Sequence, residues 1–278
     1  MTEAFDEEVR DLIKKGAIKK LDFQDSSDGF VSSIFVVPKS SGGFRPIINL
    51  SYLNYFVTYH HFKMEGLEDV RFLIQQGDWM AKIDIKDAYL NVPIHPDHWR
   101  FQRFIWKGNL FEFSCLPFGL TSAPRVFTKL LKPVVTCLRK QCIRLVIYLD
   151  DILILGESRA ITSSNVKKVT NLHQSVGFCL NEKKCQLDPT SVIEYLGVVI
   201  NSRDLSFSLP EKKINNIKGI CQRMISKLCV SLREILSILG HLTWAVAFVP
   251  FAESFLGYAF PPFALISRCL ENIRRERT

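Results

Sequence analysis

Short apolar runs separated by glycine and charged positions dominate the first two thirds of the chain. The run over residues 145–155 is almost wholly apolar and is bounded by Arg144 and Gly156, which is typical of buried strand. Two adjacent acids, Asp150 and Asp151, lie at its centre. Because aspartate tolerates turn conformations, the pattern predicts a hairpin with both acids at or near the turn.

A second acid-bearing strand is predicted over residues 79–85. Polar and apolar positions alternate there, so that Ala81, Ile83 and Ile85 would face one side and Asp84 the other. Further strands are predicted at residues 34–38, 44–49, 101–106, 109–113 and 192–200. Helices are predicted at residues 4–15, 67–76, 163–176 and 211–228, and from residue 122 onward. The order indicates an α+β body to about residue 205 with helices afterwards.

Three local signals refine these elements. Ser231 and Glu234 have the spacing of a capping box at a helix start. Pro133 is expected to kink or shorten the helix that begins near residue 122. Gly197 indicates a bulge or a close backbone approach within the strand predicted at 192–200.

Composition indicates a folded chain whose basic charge suits a polyanionic partner, although proteins that bind no nucleic acid can be equally basic. The 278 residues are 47% hydrophobic, which supports a substantial core, and the net charge of +8 suits nucleic acid. Eight cysteines include no Cys-x-x-Cys pair, so we expect free thiols in a reducing compartment. The acidic N-terminus has no secretion-signal pattern, and prolines interrupt the apolar stretch 242–263. We therefore expect an intracellular protein without a membrane partner.

The acids carry the candidate chemistry. A buried carboxylate costs several kcal/mol unless it is neutralised, and two neighbours repel each other, so a bound cation is the simplest resolution. Asp84 is a third acid that the fold could bring to Asp150 and Asp151, and three carboxylates suit two hard cations. Two alternatives remain: an exposed acidic turn, and an Asp84 that is solvated or paired with a neighbouring lysine.

At this point the chain resembles a family, the reverse transcriptases of LTR-type and DIRS-like retrotransposons. The resemblance runs through most of the chain in the order of the family's motifs. Its blocks are Phe44-Arg45-Pro46, Lys82-Ile-Asp-Ile-Lys-Asp-Ala-Tyr89, Leu116-Pro-Phe-Gly-Leu-Thr-Ser-Ala-Pro124, Tyr148-Leu-Asp-Asp151, Leu180-Asn-Glu-Lys-Lys-Cys185 and Tyr195-Leu-Gly197.

The resemblance implies an α+β right-hand polymerase. Fingers and palm would occupy residues 1–205, with the palm core at about 78–100 and 112–205. A helical thumb and the start of a connection region would occupy residues 206–278. RNase H or other polyprotein domains would lie downstream, outside this chain.

The resemblance also assigns catalytic roles. Asp84, Asp150 and Asp151, with the backbone carbonyl of Ile85, would bind two Mg²⁺ ions, and Mn²⁺ could substitute. Whether Asp151 is a direct ligand or a nearby charge stays open. Lys184 would protonate the departing pyrophosphate, although the adjacent lysine is an equal candidate on sequence.

Substrate-binding roles follow in the same way. Lys39 and Arg45 would bind the nucleotide phosphates, although Lys39 could equally be a solvated hairpin lysine. The backbone at Asp87 and Ala88 would contact the triphosphate. Two aromatic side chains complete the predicted nucleotide site, with Tyr89 as a steric gate against ribose and Phe118 against the nascent base pair. The predicted primer grip consists of Tyr195, Leu196 and Gly197.

The implied activity is RNA-directed DNA synthesis. The enzyme would add deoxynucleotides to a primer 3′-hydroxyl, release pyrophosphate and copy RNA or DNA templates. It would act in a cytoplasmic ribonucleoprotein or in the nucleus. The alternative from another class is a catalytically silent nucleic-acid-binding scaffold derived from a retroelement, although all three acids are present.

Overall fold

A computed structural model describes residues 2–21, 29–39, 42–227 and 229–246. The helices are α1 Thr2–Lys14, α2 Ser51–Phe56, α3 Leu67–Leu73, α4 Ala123–Lys140, α5 Arg159–Ser175, α6 Glu211–Ile225 and α7 Leu232–Val246. The strands are β1 Ile18–Leu21, β2 Val31–Ser32, β3 Ile34–Pro38, β4 Phe44–Ile48, β5 Trp79–Asp84, β6 Arg103–Trp106, β7 Asn109–Phe113, β8 Arg144–Tyr148, β9 Asp151–Gly156, β10 Gln186–Thr190, β11 Val192–Tyr195, β12 Val198–Asn201 and β13 Ser206–Ser208. Single 3₁₀ turns occupy Ala88–Asn91 and Pro96–Phe101.

The predicted acids lie on a four-stranded antiparallel sheet, called here the central sheet, in the order β10-β5-β9-β8. Apolar side chains cover both of its faces, as expected for strands without a solvated side. Ala81, Ile83 and Ile85 pack in one core with residues of α4 and α5, as the alternation of β5 predicted. Met80 and Leu153 pack in a second core with the β11-β12-β13 sheet.

A second sheet, in the order β1-β7-β6-β2, packs beside α1. Its pairs are antiparallel except for β2 with β6. Phe104 and Phe113 are fully buried in this core. The β3–β4 hairpin contributes Ile48 to the same core and carries Arg45 opposite Val37.

Most of the predicted elements are confirmed. The apolar run around the two acids folds into the β8–β9 hairpin, and the turn is possible because Leu149 adopts a positive φ of 54°. The capping box is present, since Glu234 accepts from the Ser231 backbone N–H while its own N–H donates to Ser231 Oγ. The described elements after β13 are helices. Residues 247–278, which include the end of the predicted thumb and connection region, lie outside the described residues.

One local prediction is wrong, and of the predicted kink or shortening at Pro133 the shortening is wrong. The strand predicted at 192–200 is the β11–β12 hairpin, because Leu196 and Gly197 both adopt positive φ and form a two-residue turn. The α4 helix continues through Pro133 to Lys140 and is not shortened. Pro133 lies on the exposed face of α4, where water can bind the carbonyl that loses its helical partner.

No helix within the described ranges combines the length and the apolar character needed to cross a bilayer. The cysteines that the structure describes are free thiols, as predicted.

A buried ion pair fixes the start of β8. Asp78 is only 1% exposed and accepts from Arg144 Nη1 at 2.7 Å and Nη2 at 2.6 Å. It also accepts from the Gln75 backbone N–H, and its own carbonyl accepts from Ser202 Oγ. The pair therefore joins α3, β5, β8 and β12 at one point.

We expect Asp78→Ala to lower the free energy of unfolding by about 3–5 kcal/mol, because it leaves the Arg144 charge without its partner. Urea denaturation would measure the loss. The matched control is Asp188→Ala, which removes the exposed Arg159–Asp188 pair and should cost less than about 1 kcal/mol. Equal losses in the two variants would contradict this role for Asp78.

Candidate active site

The fold brings the three predicted acids together at one end of the central sheet. Asp84 ends β5 and is the direct cross-strand partner of Asp151, which begins β9. Asp150 lies in the β8–β9 turn, and its carbonyl accepts from the Ile85 N–H at 2.8 Å. Asp84 is 4% exposed, so at least one of the acids is nearly closed off from water.

The enclosure shifts the pKa values of two of these acids. Burial, followed by the charges of Asp150 and Asp84, raises the pKa of Asp151 from 3.8 to about 6. Burial is also the largest cause that raises the pKa of Asp150, and the Asp84 carboxylate adds to it. The three carboxylates therefore lie close enough to interact electrostatically, and a positive charge at this point would stabilise their ionised forms.

Lys184 supplies one such charge. Its Nζ lies 3.2 Å from Asp84 Oδ2. It also lowers the pKa of Asp150 and Asp151, although burial outweighs this effect. The structure thus separates two neighbours that the sequence could not, because Lys184 is the lysine that contacts the acids.

The backbone around Asp84 is held by residues of the 180–185 motif, to which the sequence assigned no such contact. The Asp84 N–H donates to Cys185 Sγ at 3.3 Å, and the Asp84 carbonyl accepts from the Asn181 N–H at 2.9 Å. Ile85 bridges to Leu180. These contacts join distant parts of the chain, so no local pattern could have identified them.

A second group of predicted residues adjoins the acids. The Arg45 guanidinium lies over the Phe118 ring at 4.8 Å, and the Phe118 and Tyr89 rings are 5.3 Å apart. Tyr89 also makes an edge contact with Phe127 of α4. Burial, followed by the charge of Asp150, raises the pKa of Tyr89 to about 12, while Arg45 acts in the opposite direction. Acids, arginine and aromatic rings therefore form one continuous site.

The loop that carries Phe118 is tightly held. Gly119 has a φ of 116°, and a Cβ at this position would lie 2.2 Å from the Ile48 carbonyl oxygen. The Asn54 amide donates to the Gly119 carbonyl at 2.8 Å and accepts from the Thr121 N–H at 2.9 Å. A side chain larger than that of glycine would force this loop off the β4 strand.

Asp87 and Ala88 lie in the turn that leads from β5 to Tyr89. Asp87 has a left-handed backbone with φ 51° and ψ 38°, and Ala88 is buried. Lys15 Nζ lies 3.0 Å from Asp87 Oδ2 and also pairs with Asp11. No local pattern marks Lys15, because it reaches the turn from α1 only in the folded chain.

Lys39 is directed elsewhere. Its Nζ lies 3.7 Å from Glu8 Oε1 of α1. Arg45, in contrast, is among the charged groups that lower the pKa of Asp150. The role of Lys39 at the nucleotide phosphates stays a prediction.

Of the three predicted primer-grip residues, Tyr195 is buried inside the protein, whereas Leu196 and Gly197 form the turn between β11 and β12. Tyr195 is fully buried, and its hydroxyl donates to the carbonyls of Asp151 at 3.2 Å and Val146 at 3.4 Å. Leu196 and Gly197 form the partly exposed turn above it, and Lys213 of α6 donates to the Gly197 carbonyl at 3.0 Å. Tyr195 thus supports the acid hairpin from beneath.

The donor set fits divalent cations. No group of three or more His, Cys, Asp or Glu side chains in the described part of the chain is already arranged as a ligand set. Asp84, Asp150 and Asp151 nevertheless offer only oxygen donors, which hard cations prefer. The raised pKa values of Asp150 and Asp151 mark negative charge that the protein alone leaves incompletely compensated.

Comparisons with known proteins identify relatives of the chain. Over 248 residues the chain is 23% identical to the transposon Tf2-3 polyprotein of Schizosaccharomyces pombe, covering 89% of this chain and 17% of that one. Over 266 residues it is 24% identical to the Pro-Pol polyprotein of feline foamy virus, covering 95% of this chain and 21% of that one. The chain therefore spans about a fifth of the length of these relatives.

Solved structures show the same fold. The foamy viral protease-reverse transcriptase in complex with an RNA/DNA hybrid matches with a TM-score of 0.76 at 23% identity, over 96% of this chain and 33% of that one. A second structure of that enzyme, in complex with double-stranded DNA, matches with a TM-score of 0.74 at 23% identity, over 96% of this chain and 43% of that one. This likeness confirms the predicted α+β polymerase fold.

A family model described as reverse transcriptase (RNA-dependent DNA polymerase) matches residues 37–200, which is more than half of the chain and includes Arg45, Tyr89 and all three acids. The chain therefore belongs to the reverse transcriptase family.

Proposed function

We propose that this chain is an RNA-directed DNA polymerase that adds deoxynucleotides to a primer 3′-hydroxyl and releases pyrophosphate. The observation that carries the proposal is the meeting of Asp84, Asp150 and Asp151 at one strand end, beside Arg45 and Tyr89. Nucleotidyl transfer needs carboxylates that hold cations, a cationic side chain that binds phosphates and a surface that contacts the sugar, and this site would supply all three.

The carboxylates of Asp84, Asp150 and Asp151, with the carbonyl of Ile85, would hold two Mg²⁺ ions, or Mn²⁺ in their place. When bound, the ions would lower the pKa of the primer hydroxyl and neutralise charge on the triphosphate. Lys184 lies against Asp84, so its ammonium can give a proton to the departing pyrophosphate. The chain's own contribution is mainly the positioning of charge.

Arg45 is free to present its planar guanidinium to the triphosphate while its position is held over Phe118. Asp87 and Ala88 would contact the triphosphate through their backbone, and Lys39 would assist only by leaving Glu8. The Tyr89 ring is packed between Phe118 and Phe127. A ring held from two sides cannot yield to a ribose 2′-hydroxyl, so we assign Tyr89 as the steric gate.

The substrates would be a primer with an RNA or DNA template, and deoxynucleoside triphosphates. The similar foamy viral enzyme is described in complex with RNA/DNA hybrid and with double-stranded DNA. The net charge of +8 suits a polyanion. Fingers and palm would occupy residues 1–205, and α6 and α7 would belong to the thumb over 206–278. Leu196 and Gly197 would contact the primer, with Tyr195 supporting them.

We also propose that synthesis takes place inside the cell, in a cytoplasmic ribonucleoprotein or in the nucleus. RNase H or other polyprotein domains would act from outside this chain. The alternative, a silent nucleic-acid-binding scaffold, would keep the fold without the chemistry.

Asp150→Asn should reduce primer extension by roughly 100-fold or more, because it removes a charge that the cations need. Binding to primer–template should stay within about twofold of the wild type. Gel-resolved extension and fluorescence anisotropy would measure the two. The matched control is Asp188→Asn, which changes an exposed aspartate of β10. If the wild-type protein extended no primer with either Mg²⁺ or Mn²⁺, the silent nucleic-acid-binding scaffold would be favoured.

Tyr89→Ala should lower discrimination against ribonucleotides by roughly tenfold or more, since it opens the space that the ring occupies. Tyr89→Phe keeps the ring and should keep the discrimination. Single-nucleotide incorporation with deoxy- and ribonucleotides would give both kcat/KM values. Unchanged discrimination in Tyr89→Ala would refute the gate assignment.

In chelator, the melting temperature should fall as pH rises through about 6. Asp151 binds its proton more tightly when folded, because its pKa is about 6 instead of 3.8, so its contribution to stability is present below pH 4 and is lost above 6. Mg²⁺ at pH 8 should restore several degrees. Asp151→Asn should flatten the pH dependence and weaken the Mg²⁺ effect, and an unaltered Mg²⁺ effect would contradict the metal assignment.

A further inference from the structure

Within the described residues, the outer edge of β8 pairs with no strand. The central sheet ends at β8, which pairs only with β9 among the described strands. An edge strand leaves every second residue with a backbone N–H and C=O that point outward and need partners. On β8 these groups include the Leu145 carbonyl and the Ile147 N–H, just before Tyr148 and the acid-bearing turn.

One ion pair satisfies both groups. Glu65 Oε2 accepts from the Ile147 N–H at 3.0 Å. Arg139 Nη2 donates to both Glu65 oxygens at 2.7 Å and to the Leu145 carbonyl at 3.0 Å. Glu65 and Arg139 together, called here the edge clamp, thus provide the acceptor and the donor that an adjacent strand would provide.

The two side chains reach β8 from different elements. Glu65 lies between α2 and α3, in a segment without regular structure, and Arg139 lies in the last turn of α4. The same α4 helix carries Phe127, which packs against Tyr89. The edge clamp therefore ties β8 to the helix that supports the predicted gate.

The segment that carries Glu65 also lies beside the end of β8, where the acid-bearing turn begins. Residues 63–64 and 66–69 line a cavity of about 450 Å³ together with Tyr148 and Leu196. Tyr148 is one residue beyond the clamped Ile147 and is the register partner of Asp151. Asp150 follows Tyr148 by two residues, so a shift in the register of β8 would displace both.

We propose that Glu65 and Arg139 are positioning residues for catalysis, which hold β8 in the register that brings Asp150 to Asp84. This inference rests on the proposed polymerase function. The competing explanation is an ordinary surface ion pair, since the Glu65 and Arg139 side chains are 27% and 42% exposed. Such a pair would add less than about 1 kcal/mol of stability and nothing to the rate.

The chain offers a matched comparison. Arg159 and Asp188 form an ion pair with the same geometry, in which Nη2 lies 2.7 and 2.9 Å from the two carboxylate oxygens. Among the described residues, Asp188 has no partner besides Arg159 and accepts from no backbone group. Asp188→Ala therefore removes a bidentate ion pair without releasing a strand edge.

The test compares Glu65→Ala, Glu65→Gln, the charge swap Glu65→Arg with Arg139→Glu, and Asp188→Ala. Because a displacement of about 1 Å at a reacting group can cost up to 100-fold in rate, Glu65→Ala should lower kcat about 10- to 100-fold. The KM for deoxynucleotide and the melting temperature should change little. Glu65→Gln keeps an acceptor for Ile147 and should recover most of kcat. Asp188→Ala should match the wild type.

The charge swap separates the two explanations. It restores an ion pair but places a donor where the Ile147 N–H needs an acceptor, so kcat should stay as low as in Glu65→Ala. A wild-type kcat in the charge-swap variant would show that the edge clamp acts only as a surface ion pair and would overturn the proposed positioning role. A wild-type rate in Glu65→Ala would overturn the proposal directly.

Hydrogen exchange provides a readout that does not depend on activity. In metal-free protein, amides 145–150 should exchange at least about tenfold faster in Glu65→Ala and in the charge swap than in the wild type or Asp188→Ala. Equal protection in all four proteins would overturn the proposal. If the wild type made no DNA, the polymerase function would fail while the exchange data still tested the clamp.

Discussion

Three like charges are enclosed at one end of the central sheet, and the packing around them holds them together. Asp84 and Asp151 are direct cross-strand partners, and Asp150 follows in the turn. Burial and mutual repulsion raise the pKa of Asp150 and Asp151, so the fold holds these carboxylates where they are least stable by themselves. A strained site of this kind favours a cation without needing to rearrange.

The surrounding fold opposes that repulsion at every side of the sheet. Aliphatic cores cover both faces, and Tyr195 bonds to the Asp151 backbone from beneath. The buried Asp78–Arg144 pair anchors the start of β8, and the edge clamp of Glu65 and Arg139 closes its open side. The three acids cannot separate without breaking several of these contacts together, which is how a rigid scaffold holds a cluster of side chains in place.

Local sequence patterns succeeded where short-range physics decides the structure. The hairpin around Asp150, the capping box at Ser231 and the alternation along β5 follow from turn chemistry and from the two-residue period of strands. The same reasoning misread Gly197, because a single glycine marks a bulge and a two-residue turn equally well. It also predicted that Pro133 could shorten α4, whereas the helix continues through this exposed position.

The order of the elements, the three acids with Arg45 and Tyr89, and the family of their motifs are all readable from the amino-acid sequence. The contact of Lys184 with Asp84, the pairing of Lys39 with Glu8 and the burial of Tyr195 appear only in the folded chain. Glu65 and Arg139 are likewise ordinary charges until β8 presents its edge to them. The physical reason is that such contacts depend on strand register and helix packing between distant parts of the chain, which no local pattern encodes.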